Sequence, residues 1–189
     1  MNEFKVIEIL KNELGFSDTS IRKLREFHHY ILDYNKSYNL ISKNTENNVW
    51  MRHILDSAQI IRFIDESNEH KIADFGSGGG FPGLIIGFYN ENLKFHVKLY
   101  EKSPVKRAFL KKIKEKLDIK GLDIGNDVYD KEKIVADVIV CRAFKKLEEI
   151  LKISREIIKK PHKLIILKGK NAQSEINNVS LGSNYSYKI

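Results

Sequence analysis

Apolar and polar positions follow two different periods along this chain, and the period changes near residue 70. Up to that point, apolar residues recur every three to four positions, which is the spacing of one face of an α-helix. We therefore expect residues 1–70 to form a helical segment that packs on the rest of the protein, with Asp18 or Thr19 as the N-cap of its second helix. The helices predicted in it cover residues 3–13, 19–35 and 49–64.

From residue 71 onwards, apolar runs of strand length alternate with segments of helical period. Such alternation predicts a mostly parallel sheet with helices on both faces, which is a Rossmann-like α/β domain over residues 71–189. The predicted strands cover residues 71–75, 94–101, 122–125, 137–143 and 162–169, and 122–125 is the weakest of them. The predicted helices between them cover residues 82–89, 104–117 and 146–160.

Five glycines lie within the eight positions of "GSGGGFPG", between the first predicted strand and the next helix. In a parallel α/β sheet this turn commonly holds a nucleotide. Gly76 and Gly78 have no Cβ, so they can take positive φ angles and leave room for a ligand. The third glycine of a dinucleotide fingerprint would fall on Phe81, which is too bulky for that position, and no Lys follows as in a phosphate-binding P-loop.

Two carboxylates downstream of the glycines favour an adenosine ligand without phosphates. Glu101, at the end of the second strand, could accept hydrogen bonds from both ribose hydroxyls. Asp127, after the third strand, could accept from the adenine amino group. S-adenosylmethionine is the common ligand of this kind, so the order and spacing of these residues favour a methyltransferase.

The charge balance points to a polyanionic partner, and nucleic acid is the commonest one. The formal net charge is +8 and the pI is about 9.4, an excess typical of nucleic-acid-binding proteins. Residues 102–120 hold eight Lys and Arg against two acids. Without interleaved aromatic residues this run equally suits a solvated helix face.

Cysteine usage and hydropathy exclude several other classes. The one cysteine, Cys141, excludes an internal disulfide and makes a cysteine-based metal site improbable, so no metal is expected. No apolar run approaches the roughly 20 residues of a membrane-spanning helix, and the first residues do not resemble a signal peptide. We expect a cytoplasmic protein without membrane contact, and nothing in the sequence demands more than a monomer.

Five short motifs together carry a resemblance to a known family. They are "YNLIS" (38–42), "RHILDS" (52–57), "DFGSGGGFPGL" (74–84), "VCRAF" (140–144) and "LKGK" (167–170). This combination resembles the RsmG family, also called GidB, whose members methylate N7 of a guanine in the 530 loop of 16S ribosomal RNA. The resemblance implies a methyltransferase of Rossmann-like fold, S-adenosylmethionine as cofactor, and 16S ribosomal RNA or the small ribosomal subunit as partner.

The resemblance also implies roles for particular residues. Gly76, Gly78 and Phe81 would line the cofactor pocket, and Glu101 would hold the ribose. Asp127 and Val128 would flank the adenine. Arg142 and Lys168 would act at the methyl-transfer site by position and charge, without a general base, and Arg142 could also bind the cofactor's carboxylate.

Some alternatives stay open at this point. The chain could methylate a different substrate, or it could be a catalytically silent RNA-binding domain. The latter is conceivable because "NYSYKI" leaves an incomplete C-terminal hairpin, where the family's last strand carries a further arginine. His53, within "RHILDS", is either structural or orders the cofactor loop. Arg142 and Lys168 could instead form salt bridges at the sheet edge.

Overall fold

The computed structural model describes residues 2–130, 134–179, 181 and 186–188 of the chain. Its N-terminal part is helical, as the apolar period predicts. Helices α1 (Glu3–Asn12) and α2 (Asp18–Asn35) are followed by a continuous helical run over residues 43–63. The run passes from a 3₁₀ turn (Lys43–Asn48) through a π-helical turn (Trp50–Leu55) and α3 (Asp56–Ala58) to a second 3₁₀ turn (Gln59–Phe63).

Helix α2 begins one residue after Ser17, and Ser17 is its N-cap. The Ser17 hydroxyl accepts a hydrogen bond from the amide of Ser20 at 3.0 Å, while its backbone is extended. The prediction of Asp18 or Thr19 as the cap was therefore wrong by one or two positions. Ser, Thr and Asp all favour the N-cap position, and four of them stand in a row at residues 17–20, so the sequence alone does not single out the cap.

One parallel sheet of five strands forms the centre of the fold, in the order β3-β2-β1-β4-β5. The second and third strands lie on one side of the first strand, and the fourth and fifth strands lie on its other side. The strands are β1 (His70–Phe75), β2 (Phe95–Tyr100), β3 (Leu122–Gly125), β4 (Val138–Arg142) and β5 (Lys163–Leu167). The predicted strands differ from these by at most two residues at an end. A change of winding direction beside β1 is where open α/β sheets bind ligands.

Helices cover both faces of the sheet, as predicted. Helix α4 (Gly83–Tyr89) joins β1 to β2, α5 (Pro104–Lys116) joins β2 to β3, and α6 (Leu147–Ile157) joins β4 to β5. Alternate residues of β1 separate two apolar cores, since neighbouring side chains on a strand point to opposite faces. Ile72 packs in the core of the N-terminal helices, α4 and α5, whereas Ala73 and Phe75 pack in the core of α6.

Two elements differ from the sequence-based expectation. The polar stretch at residues 43–48 is a 3₁₀ turn, and helix α7 (Ala172–Asn177) follows β5 although no helix was predicted there. The incomplete C-terminal hairpin was expected at "NYSYKI" (184–189), and residues 184, 185 and 189 of this stretch lie outside the described residues. The division of the chain at residue 70 stays a prediction.

No helix in the described part of the chain combines the length and the apolar composition that crossing a bilayer requires.

We expect Ser17→Ala to lower the free energy of unfolding by about 1 kcal/mol, because it removes the acceptor for the Ser20 amide. Thr19→Ala is the matched control, since Thr19 is exposed and lies inside α2. Urea unfolding of both variants checks this. Equal losses in the two variants, or a larger loss for Thr19→Ala, would contradict the assignment of the cap.

Candidate active site

The carboxyl ends of the strands bring the candidate residues to one edge of the sheet. Tyr100 pairs with Phe75 on one side and with Gly125 on the other. Glu101 therefore follows β2 beside the start of the glycine loop and beside the residues that follow β3. On the other side, Arg142 ends β4 and pairs with Leu167 at the end of β5.

Most of the glycines in the loop make room for this chain's own atoms. A Cβ on Gly76 would overlap the ring of Phe144, and one on Gly80 would overlap Leu84. A Cβ on Gly83 would overlap Leu99 and lie 2.6 Å from Oδ2 of Asp74. The expectation that Gly76 leaves room for a ligand is thus corrected: its positive φ was foreseen, but the space belongs to Phe144.

Gly78 is different, because the space beside its Cα is open. The nearest heavy atom to an added Cβ would be the carbonyl oxygen of Gly76, at 3.8 Å. Its φ of +57° also disfavours any side chain at this position. The amide of Gly78 donates to Oε2 of Glu101 at 2.9 Å, and Oε1 of Glu101 accepts from the amide of Ser103 at 2.8 Å.

Glu101 is therefore a buried carboxylate that faces the open side of the glycine loop. It is 7% exposed. Each carboxylate oxygen has two lone pairs and each accepts one hydrogen bond from the backbone, so both retain capacity for a further donor. Two neighbouring hydroxyls of a sugar are donors of the required kind.

The residues after β3 complete this side of the edge. Val128 is 3% exposed and packs in the core of α6, and Asp127 is half-buried. The Asp127 carboxylate accepts from the amide of Tyr129 at 3.3 Å. Both residues follow β3 at the same edge of the sheet as Glu101, while their predicted contacts with an adenine stay a prediction.

Asp74, on β1, anchors the end of the glycine loop through a hydrogen bond to the backbone. It is fully buried, and its Oδ2 accepts from the amide of Gly83 at 3.0 Å, whereas Oδ1 has no hydrogen-bond partner among the described residues. Burial raises the pKa of this carboxyl to about 7. Arg142 opposes the shift and Glu101 adds to it. The carboxyl that ties β1 to α4 therefore titrates near neutral pH.

Arg142 is held by the N-terminal helical run. Its Nη1 donates to the carbonyl oxygen of Arg52 at 2.8 Å, and its Nη2 lies 2.6 Å from Nδ1 of His53. The guanidinium carbon lies 5.0 Å from the centre of the Phe81 ring, close enough for a cation–π contact. No carboxylate ion pair of Arg142 occurs among the described residues, so the salt-bridge alternative does not describe its contacts.

Phe81 is buried under Arg142 and His53. It is 4% exposed and its ring centre lies 5.0 Å from that of His53 and 5.5 Å from that of Phe27 on α2. This aromatic side chain joins the glycine loop to the N-terminal helices. Its predicted place in the lining of a cofactor pocket stays a prediction.

Lys168 lies with α6 and α7, away from these contacts of Arg142. Its Nζ donates to the carbonyl oxygen of Lys145 at 2.9 Å and to Oε2 of Glu175 at 2.7 Å. The same Glu175 oxygen accepts from the amide of Leu147, at the first turn of α6. The structure thus realises the salt-bridge alternative for Lys168. Its partner was missed because it lies on α7, which the sequence did not predict.

Cys141 is core and not a nucleophile. It is 1% exposed, and burial raises the pKa of its thiol to about 12, so the reactive thiolate is absent at neutral pH. Among the described residues, no group of three His, Cys, Asp or Glu side chains could hold a metal ion.

Comparison with known sequences identifies one family. The family model described as GidB, rRNA small subunit methyltransferase G, matches residues 20–185. Ribosomal RNA small subunit methyltransferase G of Orientia tsutsugamushi (strain Ikeda) is 32% identical over 98% of this chain and 90% of its own length. The Pelagibacter ubique (strain HTCC1062) protein of that name is 35% identical over 98% and 88%, and the Rickettsia felis (strain ATCC VR-1525 / URRWXCal2) protein is 38% identical over 82% and 78%.

Solved structures with a similar fold are more distant in sequence. A protein-L-isoaspartate O-methyltransferase aligns with a TM-score of 0.59 at 18% identity, over 87% of this chain and 55% of that one. The structure of MtNAS in complex with MTA and tNA aligns with a TM-score of 0.51 at 15% identity, over 88% and 66%. These similarities confirm the Rossmann-like methyltransferase fold.

Because Asp74 is protonated in the folded state up to about pH 7, its contribution to stability depends on pH. Its carboxyl has an ordinary pKa of 3.8 when the chain unfolds. Between about pH 4 and 7 the folded state retains a proton that the unfolded state has lost. The free energy of unfolding therefore falls as the pH rises through that window. We expect Asp74→Asn to remove this dependence.

The measurement is urea unfolding of both proteins from pH 4 to 8. The wild type should lose stability relative to Asp74→Asn as the pH rises, because other titrating groups cancel in the difference. Two parallel curves would mean that Asp74 does not titrate in this range.

Proposed function

Because this chain belongs to the GidB family of rRNA small subunit methyltransferase G proteins, we propose that it transfers a methyl group from S-adenosylmethionine to N7 of a guanine in the 530 loop of 16S ribosomal RNA. The observation that carries the proposal is the open side of Gly78 beside the buried Glu101 carboxylate, at the carboxyl edge of a methyltransferase sheet.

The residues at this edge fit S-adenosylmethionine. Glu101 offers lone pairs to two ribose hydroxyls, and Gly78 leaves the space that a ligand needs beside the carboxylate. In this proposal Asp127 and Val128, which follow β3 at the same edge, flank the adenine. In the described residues, the glycine loop is not followed by the lysine that a P-loop uses to bind phosphate. This agrees with a ligand that carries no phosphate.

The chemistry asks little of the protein beyond alignment. S-adenosylmethionine supplies a methyl group on a positively charged sulfur. N7 of guanine has a free lone pair and no proton, so no general base is needed, and the site contributes proximity and electrostatics. Arg142 offers a fixed, planar set of N–H donors to an oxyanion at the strand edge. Lys168 fixes the turn after β5 through Glu175.

Helix α5 and the residues beside it provide a basic surface for RNA. Two of the eight basic residues in 102–120 form ion pairs: Lys114 with Asp123, and Lys120 with Asp118. Lys102 and Lys111 are exposed and have no ion pair among the described residues. The fold also brings an aromatic side chain beside the run at residues 102–120. Tyr34 on α2 accepts a hydrogen bond from Lys112.

We further propose that the protein acts as a monomer in the cytoplasm, where ribosomal subunits are assembled. The alternatives are a methyltransferase with another substrate, and a catalytically silent RNA-binding domain. Cofactor binding separates the last of these from the others, and the position of the methyl group separates the first two.

We expect Glu101→Gln to weaken binding of S-adenosylmethionine by about 5- to 150-fold, since the amide group of Gln cannot replace both acceptor oxygens. Isothermal titration calorimetry measures this. Lys71→Gln, at the amino end of β1, is a control that should bind like the wild type. Unchanged affinity in Glu101→Gln would remove Glu101 from the cofactor site.

The target atom is tested by incubating the protein with 16S ribosomal RNA that lacks the modification and with labelled cofactor. Label should appear as N7-methylguanine in the 530 loop, detected by chemical cleavage at that base. Label at another atom, or no label with intact subunits and bound cofactor, would refute the assigned reaction.

The basic surface is tested by Lys102→Gln/Lys111→Gln. This pair should weaken binding of ribosomal RNA and reduce the slope of log affinity against log salt by about 1 for each phosphate that is no longer neutralised, while cofactor affinity stays unchanged. Lys71→Gln/Lys159→Gln removes the same charge near the amino ends of β1 and β5. An equal effect of the two pairs would show that only net charge matters.

A further inference from the structure

The strongest unassigned feature is the set of contacts that fixes Arg142 from outside its own strand. Arg142 lies on β4, but its guanidinium donates to the helical run, to the Arg52 carbonyl and to His53. These partners are about 90 residues away in the sequence. The N-terminal segment therefore decides where the guanidinium lies.

The π-helical turn exposes one of these partners. In an α-helix the amide of Asp56 would bond to the carbonyl oxygen of Arg52. Here it bonds to the carbonyl oxygens of Met51 and His53 instead. The Arg52 carbonyl oxygen accepts from Arg142 instead of from this amide, at 2.8 Å. A π-type turn inside a helix is frequently found at a functional site.

The donor and acceptor roles around His53 are fixed in one direction. A guanidinium can only donate, so Nδ1 of His53 must carry a lone pair and accept from Nη2 of Arg142. A neutral ring then has its proton on Nε2, which donates to Oγ1 of Thr45 at 2.7 Å. The Thr45 hydroxyl in turn donates to the carbonyl oxygen of Ser42 at 2.7 Å.

The surroundings keep His53 neutral. Burial, together with the positive charges of Arg142 and Arg52, lowers its pKa to about 4. A protonated ring could not accept from Arg142. Asp56, whose pKa burial raises, and Asp74 are both in electrostatic contact with Arg142.

We propose that His53 is a positioning residue for Arg142: its Nδ1 accepts from the guanidinium and its Nε2–H donates to Thr45, so that the guanidinium presents its remaining N–H groups to an oxyanion at the strand edge. The inference rests on the proposed methyltransferase function. The oxyanion is either the carboxylate of the cofactor or a phosphate of the RNA, and the two sources are separable by experiment.

The first test reads the tautomer without any activity. Long-range ¹H–¹⁵N spectra of the histidine rings distinguish a protonated from an unprotonated Nδ1. Between pH 6 and 8, His53 should show an unprotonated Nδ1 and a protonated Nε2. A charged ring, or an Nδ1–H tautomer in the wild type, would overturn the proposal.

The second test uses two substitutions, one of which retains the contact with Arg142 and the other the contact with Thr45. His53→Asn places an amide oxygen near the position of Nδ1 and can still accept from Arg142. His53→Gln reaches Thr45 but has no acceptor at the δ position. We expect kcat/KM for ribosomal RNA to fall on the order of 10- to 100-fold in the Gln variant and to stay within a few-fold of the wild type in the Asn variant.

Thermal unfolding of both variants controls for a merely structural role. In that case the loss of activity would parallel the loss of thermal stability, whether or not the new side chain can accept a hydrogen bond from Arg142. Equal losses of kcat/KM in Asn and Gln, or no loss in either, would overturn the inference.

Calorimetry with S-adenosylmethionine identifies the oxyanion. Weaker cofactor binding in the Gln variant indicates the cofactor's carboxylate, and a raised KM for RNA with unchanged cofactor binding indicates a phosphate. If the wild type itself methylates no RNA, the proposed function fails, while the tautomer measurement still decides the role of His53.

Discussion

The close approach of the glycine loop to its own neighbours is the constraint on which the site depends. The loop must turn from β1 into α4 within a space already filled by Phe144, Leu84 and Leu99. Any side chain at Gly76, Gly80 or Gly83 would overlap these atoms. With the turn held in this way, Gly78 is left as the position whose open side faces outwards, and the Asp74 carboxyl can reach the amide of Gly83.

This packing separates two roles that the glycines share in the sequence. Most of them allow the protein to pack against itself, and Gly78 leaves the space in which a ligand can lie. Glu101 links the two roles, since its carboxylate holds the amide of Gly78 and is also the acceptor that a ribose requires. The same side chain therefore shapes the loop and serves the proposed cofactor site.

The N-terminal helices contribute to the site as well as to the core. Phe81 packs between Phe27 of α2 and Arg142 of β4, so the apolar core extends directly under the guanidinium. The π-helical turn adds the Arg52 carbonyl and the neutral His53 imidazole, both of which accept from Arg142. A methyltransferase sheet without this segment would have Arg142 but not the contacts that fix its position.

The sequence by itself determined the parallel sheet, the five strands to within two residues at each end, and the family. Apolar period and strand-to-helix alternation are local signals, and the glycine loop with "RHILDS" is a local motif. Even Glu101 was identifiable, because the end of a strand defines the edge on which its side chain lies. What only the tertiary structure decided were pairings between distant segments: Phe144 over Gly76, Glu175 with Lys168, and His53 with Arg142. These depend on how helices pack on the sheet, and no spacing along the chain records that geometry.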